Sequence, residues 1–231
     1  MRAPALQALG PRRGRVAVPL ALAALAVAGW AAMLGLGMAM EGHAAHRAGL
    51  AAVFGMWAAM AIAMMVPVEA ASLVRLARGV RETASFLAGY LVPWLAFSLA
   101  AAALQHGLQA AGYLDASMAT TNRLFAAALL GAAGILQLSP LRTACLERCR
   151  AASFAGPGTG GLTGGLRASA WSVTCCGLLM LVPLATGVMS LSWMAALTAL
   201  LVVEREIPRA SRIGAAAGVL LVLLSVWKFV S

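Results

Sequence analysis

The stretch GLAAVFGMWAAMAIAMMVPVEAASLV, residues 49–74, decides the fold of this protein. Glu69 is its single charged residue, and alanine, methionine and valine make up most of the rest. A helix needs about 20 mostly apolar residues to cross the hydrocarbon core of a bilayer. The stretch exceeds that length and lacks the alternating pattern of a strand, so it predicts a membrane-spanning α-helix.

Other segments share this character, and together they predict an all-α fold, a polytopic transmembrane helical bundle of about seven spans, with six as the alternative. The whole chain is 62% hydrophobic and 10% charged, a composition unlike that of a soluble domain. Residues 1–15 are expected to form a cytoplasmic basic tail, and residues 16–231 a single transmembrane domain. The predicted spans are residues 16–40, 49–74, 84–104, 120–138, 169–188, 190–204 and 211–230.

The basic residues are distributed unevenly between these spans. Fourteen of the 17 arginines and lysines lie in the N-terminal tail and in every second loop after it, and three lie on the other side. Because cytoplasmic loops are enriched in Lys and Arg, the N-terminus is expected in the cytoplasm and the chain in a bacterial inner membrane. The net charge of +10 then reflects topology, so the expected partner is the lipid bilayer and not nucleic acid.

Four cysteines form two pairs that this topology places near the cytoplasmic side: Cys145 with Cys149, and Cys175 with Cys176. The first two are one helical turn apart and would share a face. Adjacent residues on a helix point about 100° apart, so only one of Cys175 and Cys176 is expected to join them. A reducing cytoplasm argues against disulfides, and thiolates are soft ligands that suit Cu(I) or zinc. The alternative is that these cysteines are small hydrophobic residues of the core.

Methionines form a second group, on the second span. Met56, Met60 and Met64 recur every four residues and make a stripe on one helix face, which Met65 extends. Thioethers also favour Cu(I). Ordinary packing is the alternative, because methionine commonly fills gaps in apolar cores.

A third group lies at the outer end of the first span. His43 and His46 are three residues apart, close to Met38 and Met40, and His106 at the outer end of the third span is a further candidate. Imidazole binds copper, zinc or nickel, and a nearby thioether favours copper. Exposed loop histidines with no ligand are the alternative.

Buried charge and flexible glycines complete the pattern. Glu69 lies at membrane depth, where it is expected to reach the interface or pair with Arg75 or Arg78. Glu204 and Glu206, on either side of Arg205, are interpreted as charges at the membrane interface.

The run 156–165 is expected to be a flexible cytoplasmic loop, and its lack of a Gly-Lys-Ser/Thr ending argues against a phosphate-binding loop. A small-xxx-small pair, Gly214 and Gly218, predicts close helix packing.

Several of these segments together resemble a bacterial family of predicted metal-binding integral membrane proteins that carries a domain-of-unknown-function label. The resemblance covers about residues 50–206, and it implies Cys145, Cys149, Cys175 and Cys176 as ligand positions. Ser172 stands where the family often has a further cysteine, and Gly177 where it usually has tryptophan. The matching segments are Trp57–Pro67 (WAAMAIAMMVP), Gln137–Arg142 (QLSPLR), Cys145–Arg150 (CLERCR), Cys175–Met180 (CCGLLM), Gly187–Met194 (GVMSLSWM) and Glu204.

These observations favour a protein that handles Cu(I), by transport or delivery, with zinc less favoured. Outer His and Met side chains would capture the ion, the methionine stripe would pass it inward, and the cysteines would receive it, with a metallochaperone or a membrane complex as partner. A structural or assembly subunit without metal is the alternative, and an intramembrane redox enzyme using vicinal thiols is a third. The sequence contains no Ser-His-Asp grouping and no HExxH motif, so we predict no enzymatic activity.

Overall fold

The computed structural model describes residues 12–39, 49–76, 80–115, 117–154, 161–188, 190–207 and 211–230, and these are helical almost throughout. Within these ranges there is no strand, only an isolated bridge between Leu114 and Thr120. The predicted all-α fold is therefore confirmed. The helices are α1 (Arg12–Ala39), α2 (Leu50–Leu76), α3 (Val80–Ala110), α4 (Arg123–Leu138), α5 (Pro140–Phe154), α6 (Gly161–Leu181), α7 (Pro183–Thr186), α8 (Leu191–Glu206) and α9 (Ser211–Val230).

Five segments are long and apolar enough to cross a membrane: α1, α2, α3, α6 with α7, and α9. The pair α4 and α5 becomes a sixth if it is one span, although it is bent by 70°. Helix α8 has 16 residues. At 1.5 Å per residue it is about 24 Å long, less than the ~30 Å hydrocarbon core. By length and apolarity, therefore, the described residues contain five or six candidate spans, where the sequence predicted about seven with six as the alternative.

Three helices end on the same side of the bundle. Gln137, at the end of α4, donates to Glu204 near the end of α8, and the next residue, Arg205, pairs with Glu69 in the last third of α2. Helix α9 is antiparallel to α4, because Ser225 bonds the Ala127 carbonyl while Gly218 lies against Gly134. The last residues of α9 therefore lie at the opposite side from Gln137.

Glycines allow α3 and α6 to approach closely. A Cβ atom on Gly89 would overlap the Leu162 carbonyl, and one on Gly165 would overlap the Phe86 carbonyl. Residues 161–165, predicted to belong to a flexible loop, are instead the first residues of α6, and residues 155–160 lie outside the described residues. Glycine costs about 1 kcal/mol per residue in a helix, but here it is the residue that allows the two backbones to approach.

The predicted small-residue contact is confirmed between α4 and α9. A Cβ on Gly218 would lie 3.1 Å from the Gly134 carbonyl, and one on Gly134 would lie 2.8 Å from the Gly218 carbonyl. Gly214 lies one turn earlier, where a Cβ would overlap the Glu204 carboxylate. The pair thus permits the close approach of two helices and also leaves room for a buried acid.

Candidate metal centre

The bend between α4 and α5 directs the first cysteine pair toward α6. Ser139 ends α4 in an extended conformation (φ −79°, ψ 150°), and Pro140 begins α5. Proline disfavours helical geometry in the residue before it, so α4 cannot continue straight through this point. The chain turns by 70°, and α5 packs on α6.

Three sulfur atoms converge where α5 meets α6. The Sγ atoms of Cys145, Cys149 and Cys175 all lie within 4.8 Å of one another, and those of Cys149 and Cys175 are 3.1 Å apart. Cys149 and Cys175 are buried, whereas Cys145 is half-buried and its Sγ is 3.8 Å from the Trp171 carbonyl oxygen. We call these three residues the cysteine trio. Cys145 is its most accessible member.

Cys176 is buried but lies outside the trio. Its Sγ is 3.8 Å from Nη1 of Arg142. The 100° step between adjacent helical residues explains why Cys175 points to Cys145 and Cys149 while its neighbour points to Arg142. The vicinal pair therefore contributes one sulfur to the trio and one to the contact with Arg142.

Cys145 and Cys175 are joined by a disulfide, with their Cα atoms 5.8 Å apart, and Cys149 and Cys176 are not part of a disulfide. The expectation of free thiols is therefore wrong for this pair. The packing of α5 on α6 holds the two Cα atoms within the range of about 4.4–6.8 Å that disulfides require. The two cysteines are 30 residues apart in the sequence, and this spacing did not indicate that they lie close together.

Once reduced, the trio is a donor set that fits copper. Soft thiolates favour Cu(I), which accepts low coordination numbers, whereas structural zinc sites usually take four ligands. Among the described residues, no histidine or carboxylate belongs to the group with the three cysteines. The chemistry of the donors therefore suits Cu(I) better than zinc.

A buried ion pair lies beside the trio. Arg142 Nη2 is 2.6 Å from Glu204 Oε2, and Nη1 contacts both the Cys175 carbonyl oxygen and the Cys176 sulfur. Gln137 Nε2 donates to the other oxygen of Glu204 at 2.5 Å. Glu204, interpreted from the sequence as an interface charge, is buried inside the bundle and paired with a residue 62 positions away.

A second buried pair joins Glu69 to Arg205, 2.6 Å apart. Glu69 has no exposed surface, and the charged partner that the structure shows for it is Arg205. The expected partners, Arg75 and Arg78, have no described side chains.

A polar contact between the Tyr90 and Ser172 hydroxyls, 3.0 Å apart, lies one helical turn before Cys176 on α6. No feature of the sequence indicated this contact.

The methionine stripe faces the interior. Every methionine whose side chain is described is buried, and all of them belong to the same continuous core as Cys149, Cys175 and Cys176. Burial is compatible both with packing and with ion passage, so the role of the stripe stays a prediction. The buried methionines are Met33, Met56, Met60, Met64, Met65, Met118, Met180 and Met194. Met33, Met118, Met180 and Met194 were not predicted as candidates, because none belongs to a helical repeat of methionines.

Most of the proposed outer capture group lies outside the described residues. His43, His46 and Met40 lie outside the described residues, and the Met38 side chain is not described. His106 is half-buried on α3, and its Nδ1 atom is buried without a hydrogen-bond partner. An outer site therefore stays a prediction from the sequence.

A comparison with protein families matches residues 54–228 to a family named PpoB2 and described as a copper chaperone. The match covers well over half of the chain and includes both cysteine pairs, both buried ion pairs and the methionine stripe. It supports a copper-related family, which agrees with the metal-binding character of the resemblance, but the family has a functional description and not only an unknown-function label. No curated protein and no solved structure matches the chain.

Proposed function

We propose that this chain, which belongs to the PpoB2 family of copper chaperones, is a multi-pass membrane protein that binds Cu(I) at its cysteine trio and delivers or transports it. The observation that carries the proposal is the convergence of Cys145, Cys149 and Cys175 within 4.8 Å. Binding and handing over an ion requires ligand exchange and no catalytic step, consistent with a chaperone. The ion is the cargo of the site.

Membrane insertion is supported by length, apolarity and charge. Five segments are long and apolar enough to span, and the outer surface of α9 carries large apolar side chains such as Leu223 and Trp227. The charge asymmetry of the loops favours a cytoplasmic N-terminus and a bacterial inner membrane.

Reporter fusions after Arg13 and after Ser231 should report opposite sides of the membrane. Reports from the same compartment would contradict this topology and would indicate that the short α8 does not cross.

Passage of the ion is proposed to run from the outer His43 and His46 region, along Met56, Met60, Met64 and Met65, to the trio. The donors along this path change from imidazole and thioether to thiolate, which binds Cu(I) more strongly. A gradient of this kind favours inward movement to the cysteines. A soluble metallochaperone or a membrane complex is the proposed partner at the cysteine end.

The test is copper stoichiometry on the detergent-solubilised, fully reduced protein. We expect about one Cu(I) per chain, lost when Cys145, Cys149 and Cys175 are all replaced by serine. Cys176→Ser is the matched control, because that thiol is buried in the same region but lies outside the trio, so the variant should retain copper. Failure of the wild-type protein to bind Cu(I) would favour the alternative of a structural or assembly subunit.

A further inference from the structure

The guanidinium of Arg142 bridges a buried carboxylate and the vicinal cysteines. Only 3% of this side chain is exposed. Nη2 donates to Glu204, and Nη1 donates to the Cys175 carbonyl oxygen and lies 3.8 Å from the Cys176 sulfur. Arg142 also stands three residues before Cys145 on α5, so the same helix face presents both the guanidinium and the first sulfur of the trio.

The carboxylate that holds Arg142 is itself held by two further helices. Gln137 of α4 donates to Glu204 Oε1 at 2.5 Å. On α9, the missing side chain of Gly214 leaves the space that this carboxylate occupies. Helices α4, α8 and α9 thus fix the position of one guanidinium relative to α6.

Stability alone is a weak explanation for this arrangement. A buried ion pair costs desolvation free energy and is often no more stabilising than well-packed apolar residues of similar volume. Arginine binds in a planar fork, so one side chain can engage two partners at fixed angles. Here one arm of the fork is used for Glu204 and the other for the turn of α6 that contains Cys175 and Cys176.

We propose that Arg142 is a positioning residue of the copper site: it holds the Cys175–Cys176 turn against α5 and places positive charge at the turn that provides Cys175 to the trio. A thiolate is stabilised by a neighbouring cation, and a buried metal–thiolate complex needs such a charge more than an exposed one does. This inference rests on the proposed function of the trio and adds a residue that provides no ligand atom.

The decisive variant is the double substitution Arg142→Gln with Glu204→Gln. It removes both charges together, so neither is left buried without its partner, and an unchanged melting temperature would show that the fold is retained. We expect Cu(I) affinity, measured by competition with a chromophoric Cu(I) chelator under reducing conditions, to fall at least tenfold. The ultraviolet copper–thiolate absorption should shift, a change that a purely structural role would not cause. The control is Arg123→Gln, which removes an exposed arginine at the opposite end of α4 from Gln137 and should leave the affinity unchanged.

A conservative variant, Arg142→Lys, keeps the charge but not the fork, and should bind Cu(I) with an affinity between those of the wild type and the double variant. Arg142→Lys also tests the proposal if the double variant does not fold. In that case, an affinity of Arg142→Lys for Cu(I) equal to that of the wild type would overturn the proposal. A folded double variant with affinity within twofold of the wild type would also overturn it, while leaving the trio as the copper site. Absence of Cu(I) binding by the wild-type protein would instead overturn the proposed function, and this inference with it.

Discussion

Arg205 donates to Glu69 across 2.6 Å, although 136 positions separate the two residues in the chain. Arg205 is 4% exposed and Glu69 is fully buried. The contact joins the end of α8, the helix too short to cross a bilayer alone, to the last third of α2. It therefore fixes the end of α8 beside the region where α5, α6 and the cysteine trio meet.

Replacing Glu69 with glutamine should destabilise the protein strongly. The change leaves the Arg205 guanidinium buried without this carboxylate, and breaking a buried pair on one side costs about 3–5 kcal/mol. Thermal unfolding in detergent, followed by intrinsic tryptophan fluorescence, should show a clearly lower midpoint. The double variant Glu69→Gln with Arg205→Gln should recover most of the loss, and a midpoint for Glu69→Gln equal to that of the wild type would contradict the pairing.

Copper binding should depend on the oxidation state of the Cys145–Cys175 pair. A disulfide sulfur is not a thiolate, so the oxidised protein offers only Cys149 from the trio, whereas the reduced protein offers three donors. We expect Cu(I) binding only after reduction, and bound Cu(I) should then slow alkylation of Cys145, the most accessible of the three. Mass spectrometry of alkylated peptides measures both effects. Equal alkylation of Cys145 with and without Cu(I) would argue against the trio as a copper site.

Substitutions in the methionine stripe can distinguish a role in packing from a role in ion passage. Replacing Met56, Met60 and Met64 with leucine conserves volume, so each change should cost less than about 1.5 kcal/mol and the fold should persist. If the thioethers carry Cu(I), copper tolerance or copper delivery in cells should nevertheless fall. Met33→Leu is the matched control, since Met33 is equally buried but lies on α1. A normal copper phenotype in the triple variant, with normal expression, would assign the stripe to packing.

Gly214→Ala should perturb the acid that holds Arg142 without changing any charge. The added methyl group would overlap Glu204 Oε1, and overpacking of this kind typically costs about 1–3 kcal/mol. Gly107→Ala is the control, because a Cβ there meets nothing within 4 Å and alanine favours the helix. The expected result is a lower melting temperature for Gly214→Ala and an unchanged or higher one for Gly107→Ala. Identical behaviour of the two variants would contradict the close contact between α9 and Glu204.

The sequence by itself determined the long apolar helices of this protein, because such runs specify their own secondary structure through local hydrogen bonding. It also indicated close packing at Gly218, since small residues at helical spacing allow close approach, but the partner helix α4 appeared only in the structure. By contrast, only the tertiary structure decided that Ser139 and Pro140 turn α5 back onto α6, and that Cys175 joins Cys145 and Cys149 while Cys176 does not. The pairs Glu69–Arg205 and Glu204–Arg142 also appeared only there. Such contacts between distant residues follow from how helices pack against one another, and neither the hydrophobicity nor the spacing of a single segment contains that information.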